Sequence, residues 1–238
     1  MTIEPEHTSY IYLIRHAQAG SRDDYDLLSE VGLRQAQLLG QQLAAEGLSF
    51  DAIYSGSLRR HRQTAEIALQ SLSRSARAEI LTDVRWDEFD LSALYRAFAP
   101  RLMREDPEFA RDYEEMQKLL RQDPHMTRGA VGRCDSAIIR AWIEGRYPDH
   151  AGESWASFSA RIRSCISEAR GRMAVFTSAT PIAVIVGAAL DLSGEKLLSI
   201  LGVIYNAGIS IVRIRGQDLR LFTFNSASHL PPELRTFR

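Results

Sequence analysis

The chain has 238 residues, 45% of them hydrophobic and 25% charged, and a formal net charge of -1. That balance argues against a disordered chain and fits one domain, with or without an insertion. It also argues against a polyanion-binding track, because Arg-rich pieces such as residues 58–62 are offset by acids elsewhere. Cys134 and Cys165 have neither the number nor the spacing of a disulfide framework or a metal knuckle. The polar, acidic N-terminus is no secretory signal, and the most apolar stretch, residues 182–190, is too short to span a bilayer. The expectation is a cytoplasmic chain with no nucleic-acid or membrane partner.

The elements follow in chain order. Residues 10–14 form a short, fully apolar run of the kind that suits a buried central strand, and Arg15 and His16 stand just beyond its end. Ala36, Leu39 and Leu43 place an amphipathic helix after Ser29, closed near Gly47. Residues 50–54 read as a second strand. Ser57 is a fair N-cap for a helix reaching about residue 71. Residues 78–81 suggest a short third strand.

The segment from about 90 to 150 changes character. It is charged, helical in period and interrupted by Pro100, Pro107, Pro124 and Pro148. It is expected to be an inserted helical cap that shapes access to a site. Residues 154–170 carry an apolar stripe of Phe158, Ile162, Cys165 and Ile166, hence another helix. Residues 173–177 form a central strand. Thr180 as N-cap with Pro181 at the first helical position opens the next helix. Residues 209–215 and 219–224 flank Gly216 as a terminal hairpin. The whole predicts an α/β sandwich of three layers with a mostly parallel sheet and a helical cap.

Chemistry concentrates after the first two strands. Arginine is a fixed planar cation that matches phosphate or carboxylate oxygens with paired bonds. Histidine offers one ring nitrogen for reaction while the other is held. At a strand end, Arg15 and His16 can bind a phosphoryl group and let His16 attack it; a salt-bridging arginine beside a semi-buried histidine is the plainer alternative. Residues 55–60, SGSLRR, also follow a strand and suit a loop near an anion. Arg59 and Arg60 point about 100° apart on a helix, so one of them reaches the pocket. His61 is expected to face elsewhere. There is no zinc-like cluster, no Walker loop and no dinucleotide fingerprint, so no metal or cofactor is expected.

These motifs together resemble the histidine phosphatase superfamily, also called phosphoglycerate-mutase-like. Arg15-His16-Ala17 resembles its first signature. Leu28, Gly32, Gln35 and Ala36 resemble its next marks, and residues 53–66, IYSGSLRRHRQTAE, its second-arginine motif; the likeness runs over roughly residues 9–230. The resemblance implies that His16 becomes phosphorylated, that Arg15 and Arg60 hold the phosphoryl oxygens, and that an acid from residues 86–90, WDEFD, protonates the leaving group. Glu88 is the matching acid, with Asp87 and Asp90 as alternates. One position departs from the pattern. Where the family carries a second histidine after the central strand, this chain has Ala179, followed by Thr180. The backbone N–H groups of the helix start can still hold an oxyanion, so binding is expected to survive better than turnover. His125 and His150 in the cap region are candidate replacements, and His229 resembles a pocket-edge or structural residue.

The function implied is a metal-independent phosphomonoester hydrolase acting through a phosphohistidine, with turnover weakened or absent. The alternatives are a non-catalytic phospholigand-binding protein on the same fold, and a phosphoglycerate-type mutase. The expected partner is a small phosphorylated molecule or inorganic phosphate, and a homodimer stays open.

Overall fold

Two-sided burial explains the centre of the molecule. Successive side chains of a strand point to opposite faces. In β1 (Thr8–Arg15) Ile11 and Leu13 enter one hydrophobic cluster while Ile14 enters another. β4 (Arg172–Thr177) divides the same way, with Met173 and Val175 on one side and Ala174 and Phe176 on the other. A strand buried on both faces reads as the continuous apolar run seen in the sequence.

The computed structural model describes residues 8–20, 26–73, 79–123 and 128–237. Its sheet also contains β2 (Ala52–Ser55), β3 (Ile80–Thr82), β5 (Ile209–Arg215) and β6 (Asp218–Ser226), in the order β3-β2-β4-β1-β5-β6. The first four of these in sheet order pair in parallel. The hairpin β5-β6 joins β1 antiparallel, which makes the sheet mixed. Parallel registry sets Arg15 beside Thr177 and Ser55 beside Phe176, so the carboxyl ends of β1, β2 and β4 open at one edge. Ligands of open α/β sheets bind beyond such ends.

Helices cover both faces. α1 (Glu30–Ala45) and α2 (Arg59–Leu69) pack on the Ile14 side. They approach closely at Gly40, where a Cβ would stand 2.2 Å from the carbonyl oxygen of Ala68. α3 (Leu91–Glu105), α4 (Pro107–Gln122), α5 (Ala130–Ile143), α6 (Trp155–Ser167), α7 (Ala179–Leu190) and α8 (Gly194–Leu201) contribute to the cluster on the other side. That cluster runs without a break from Ile11 and Val175 to Phe98, Met116, Cys134 and Trp142 in the segment expected to form a cap. Both cysteines are free and buried. None of the described helices is long and apolar enough to cross a membrane.

Several boundaries differ from expectation, each for a local reason. Ser57 does not cap α2. Leu58 takes that position with no side-chain bond, because the Ser57 N–H and hydroxyl both donate to Asp87, each at 2.5 Å. α7 starts two residues earlier than Thr180-Pro181 suggested, with Ser178 at the N-cap. Pro181 then falls within the first turn, where a missing N–H costs no helical bond. Pro100 does not interrupt its helix: α3 continues through it, held by the buried Phe98, Ala99 and Leu102. The third strand is shifted to residues 80–82, and Ala78 lies outside the described residues. α8 was not anticipated, although Leu197, Ile200 and Leu201 carry a helical spacing and pack on the large cluster; the stripe spans little more than one turn.

Candidate active site

His16 is buried at the end of β1 and fixed on both sides of its backbone. Its N–H donates to the Thr177 carbonyl at 2.7 Å. Its own carbonyl accepts from the Asn206 amide side chain at 3.1 Å. In the ring, Nδ1 lies 2.8 Å from the Ala17 carbonyl oxygen. A carbonyl only accepts, so Nδ1 carries the proton and Nε2 keeps its lone pair. Burial first, then the charges of Arg15 and Arg60 and the neighbouring His61, hold the imidazole well below its usual range, and so neutral.

The residues that resemble family marks support this turn. Ala17 N–H donates to the Thr64 hydroxyl at 3.0 Å, and that hydroxyl donates to the Arg60 carbonyl at 2.7 Å. Gln35, buried in α1, accepts from Gln18 N–H at 2.7 Å and donates to the Leu234 carbonyl at 2.6 Å. Gly32 lets the start of α1 lie against the same turn, where a Cβ would stand 2.1 Å from the Gln18 carbonyl oxygen.

The two arginines are both buried and both engaged. Arg60 ion-pairs with Asp26 at 3.1 Å, while Arg59 points to solvent. Arg15 donates through Nη1 to the carbonyls of Ile204 and, at 2.9 Å, Phe237. The strand that carries His16 is thereby tied to the C-terminal segment, where Phe237 stacks on Tyr205 at 4.4 Å.

Glu88 arrives from the loop after β3. Its carboxylate accepts from Phe89 N–H at 3.1 Å and from Thr180 N–H at 3.2 Å. It therefore sits at the amino end of α7, whose dipole favours negative charge. Burial nevertheless outweighs the Thr180 and Phe89 bonds and the nearby Arg60, and raises the carboxyl above its usual range. The two alternates have other tasks: Asp87 holds Ser57, and Asp90 caps α3 through Ala93 N–H at 2.9 Å. Ala179 is the first residue of α7, partly buried. Thr180 is buried beside it, with its N–H on Glu88.

His61 overturns an expectation. It does not face elsewhere. It is fully buried, its ring centroid is 5.5 Å from that of His16, and its Nε2 lies 2.7 Å from the Ser178 hydroxyl. Burial, then Arg60, lowers its pKa well below the usual value. Helical geometry carries the reason: on α2, residues 60, 61, 64 and 65 all turn inward, so the buried arc is wide enough to include both Arg60 and His61. His150 bonds to the Tyr147 carbonyl at 2.8 Å and stands edge-on to Phe98. His125 lies outside the described residues. His229 is half-buried, and burial pulls it down to about 4. Sequence reasoning also missed Asn206 and Ser178, whose roles depend on contacts across the chain. Among the described residues, no group of three or more His, Cys, Asp or Glu side chains is placed to hold a metal ion.

The geometry thus brings to one edge of the sheet a buried strand-end histidine, two buried arginines whose charges reach it, and a buried acid held at a helix start. The chain belongs to the histidine phosphatase superfamily (branch 1), whose profile matches residues 11–138 and 125–227. Over 67 residues it is 37% identical to the mitochondrial serine/threonine-protein phosphatase PGAM5 of Xenopus laevis, which is 27% of this chain and 24% of that protein. The chain thus spans about a quarter of the length of the curated relatives it matches. A phosphoglycerate mutase from Bacillus anthracis superposes with a TM-score of 0.59 at 17% identity, covering 94% of this chain and 96% of that one. A mycobacterial glucosyl-3-phosphoglycerate phosphatase in complex with inorganic phosphate gives 0.58 at 18%, covering 94% and 100%. At these identities the structural likeness establishes the α/β fold.

Proposed function

We propose that the protein is a metal-independent phosphomonoesterase that works through a phosphohistidine at His16. The observation that carries this reading is the state of His16: neutral, with its Nδ1 proton held by Ala17 and its Nε2 lone pair left for attack. Arg15 and Arg60 flank it with the fixed charge that phosphoryl oxygens require. In the first step His16 Nε2 bonds to phosphorus, the bond from phosphorus to the leaving oxygen breaks, and Glu88 gives that oxygen its proton. In the second step water bonds to phosphorus, the phosphorus–nitrogen bond breaks back to His16, and Glu88 takes the proton of the water. A carboxyl raised by burial suits the acid role.

The substrate class is a small phosphorylated molecule, as inorganic phosphate and phosphoserine in complexes of similar folds suggest. In our reading Ala179 stands where the family has its second histidine, and turnover is reduced to the extent that no other residue supplies that donor. Losing one such donor typically costs about 100- to 1000-fold in rate. The test is a phosphatase assay over a broad substrate panel with trapping of labelled His16, in the parent chain and in H16A. Activity unchanged by H16A overturns the mechanism.

A second reading, a non-catalytic phospholigand-binding protein, is favoured by Ala179 and by the existing engagement of Arg60 with Asp26. Inorganic phosphate bound in calorimetry, with no turnover and no phospho-His16, would select it.

A further inference from the structure

His61 is an expensive residue to bury. An imidazole shut away from water must have its nitrogens satisfied or a reason to leave one open. Here the ring is wholly enclosed, and only one nitrogen is used. Nε2 meets the Ser178 hydroxyl at 2.7 Å, and Nδ1 has no hydrogen-bond partner among the described residues. Where the serine hydroxyl donates to Nε2, Nδ1 carries the proton, and the ring, 5.5 Å from that of His16 and next in sequence to Arg60, then holds an N–H donor with no partner among the described residues.

The surroundings are fitted to that ring. A Cβ on residue 56 would stand 2.3 Å from His61 Nδ1 and 3.0 Å from Cε1, so the imidazole is seated only because residue 56 is glycine. The partner that orients it, Ser178, is the N-cap of α7 and directly precedes Ala179. His61 therefore reaches, from α2, the helix start where the chain itself offers only a methyl group.

We propose that His61 supplies the second imidazole of this site, donating a hydrogen bond to a non-bridging oxygen of the phosphoryl group as it moves onto and off His16, with Ser178 orienting the ring. The assignment rests on the phosphohistidine reading above and relocates a donor from α7 to α2. It places Gly56, His61, Ser178 and Ala179 in one unit, in which an imidazole from residue 61 occupies room that a side chain at 56 would take.

The test compares the parent chain with H61A, H61F, A179H and H61A/A179H, using kcat, KM, vanadate affinity and thermal melting. H61A should lower kcat by about 100-fold, change KM only several-fold and weaken vanadate binding at least 10-fold. A179H should raise turnover at least 10-fold in the H61A background but by less than 3-fold when introduced alone, a dependence on residue 61 that a purely structural role for His61 would not produce. Turnover and vanadate affinity in H61A within 3-fold of the parent would overturn the assignment. If H61A does not fold, H61F, which fills the space of the ring and has no donor, decides: a folded H61F with undiminished kcat and vanadate affinity overturns it, and a loss in both supports it. H16A separates the two levels. Turnover that survives H16A sinks the phosphohistidine mechanism, and the vanadate affinities of parent and H61A then still decide whether residue 61 touches the anion.

Discussion

The Glu88 carboxylate lies 3.2 Å from the Thr180 N–H, so an acid from the loop after β3 closes the first turn of α7 some ninety residues further on. The contact joins two parts of the site that are 92 residues apart in sequence, and it places the carboxyl where burial and helix dipole act in opposite directions.

Glu88→Gln should separate catalysis from stability. As a general acid Glu88 must be protonated, so activity should fall as pH rises through its raised pKa. E88Q should abolish that limb and lower kcat by about 100-fold or more for alkyl phosphates, with a smaller effect on p-nitrophenyl phosphate, whose leaving group needs no proton. The stability sign is opposite. A carboxyl whose folded pKa is raised contributes stability below its unfolded pKa and loses it as pH rises through the folded value. The melting temperature of E88Q at pH 7 should therefore equal or exceed that of the parent.

Asp26→Asn tests whether Arg60 is available to an anion. Asp26 holds the Arg60 guanidinium at 3.1 Å, with the carboxylate side chain 41% exposed. A partly exposed pair of this kind is worth about 0.2–1 kcal/mol. Removing the charge should tighten inorganic phosphate binding by a few-fold in calorimetry. Weaker binding would mean that Asp26 helps to hold Arg60 in its binding position.

Arg161→Ala tests how the acid loop is held. Arg161 pairs with Glu153 at 2.7 and 2.9 Å and donates to the carbonyls of Arg85 at 2.7 Å and Asp87 at 3.0 Å. Leaving those carbonyls without their charged donor should cost about 2 kcal/mol in denaturant unfolding. Because the Asp87 carbonyl adjoins Glu88, kcat should fall more than KM rises, and R161K should recover part of it. Equal kcat in R161A and parent would show that the aromatic contacts of Phe89 with Trp142 and Phe158 suffice to place the acid.

Acid should destabilise the fold in a defined window. His16, His61 and His229 all have pKa values lowered by burial, and His229 falls from 6.5 to about 4. A lowered pKa gives stability that is present above the unfolded value and lost as pH falls toward the folded value. Stability should be level above about pH 6.5 and decline below it. H229F should reduce the slope between pH 6.5 and 4 by up to about 1.4 kcal/mol per pH unit. An unchanged slope in H229F would place the acid sensitivity at the two pocket histidines.

The order of elements and the start of the site were legible because they depend on neighbours in sequence. A fully apolar five-residue run marks a strand buried on both sides, and Arg15-His16 at its end marks where the sheet opens. The spacing of Ala36, Leu39 and Leu43 marks the buried face of α1, and all three are fully buried. Helical spacing said only that one of Arg59 and Arg60 turns inward, and the resemblance of residues 53–66 to the second-arginine motif marked Arg60, which is the buried one. Cap positions were less legible: Ser57 suits the start of α2 by residue type, but its N–H and hydroxyl are taken by Asp87, thirty residues away, and Leu58 holds the cap position.

What only the tertiary structure decided is the company kept at the pocket. Sequence spacing says that residue 61 lies one step round the helix from residue 60, and it left His61 outside. The structure turns both inward, because α2 lies between α1 and the strands β2 and β4, and a wide buried arc admits two neighbouring side chains. His61 meets Ser178 across 117 positions of chain, and Glu88 meets Thr180 across 92. Contacts at that separation have no local period or motif to announce them, because they arise where strand ends are brought side by side by the parallel registry of β1, β2 and β4. The sequence marked His16 and Arg60 as candidates through local motifs; the long-range contact of His61 with Ser178 at the N-cap of α7 decided that a second imidazole stands beside them.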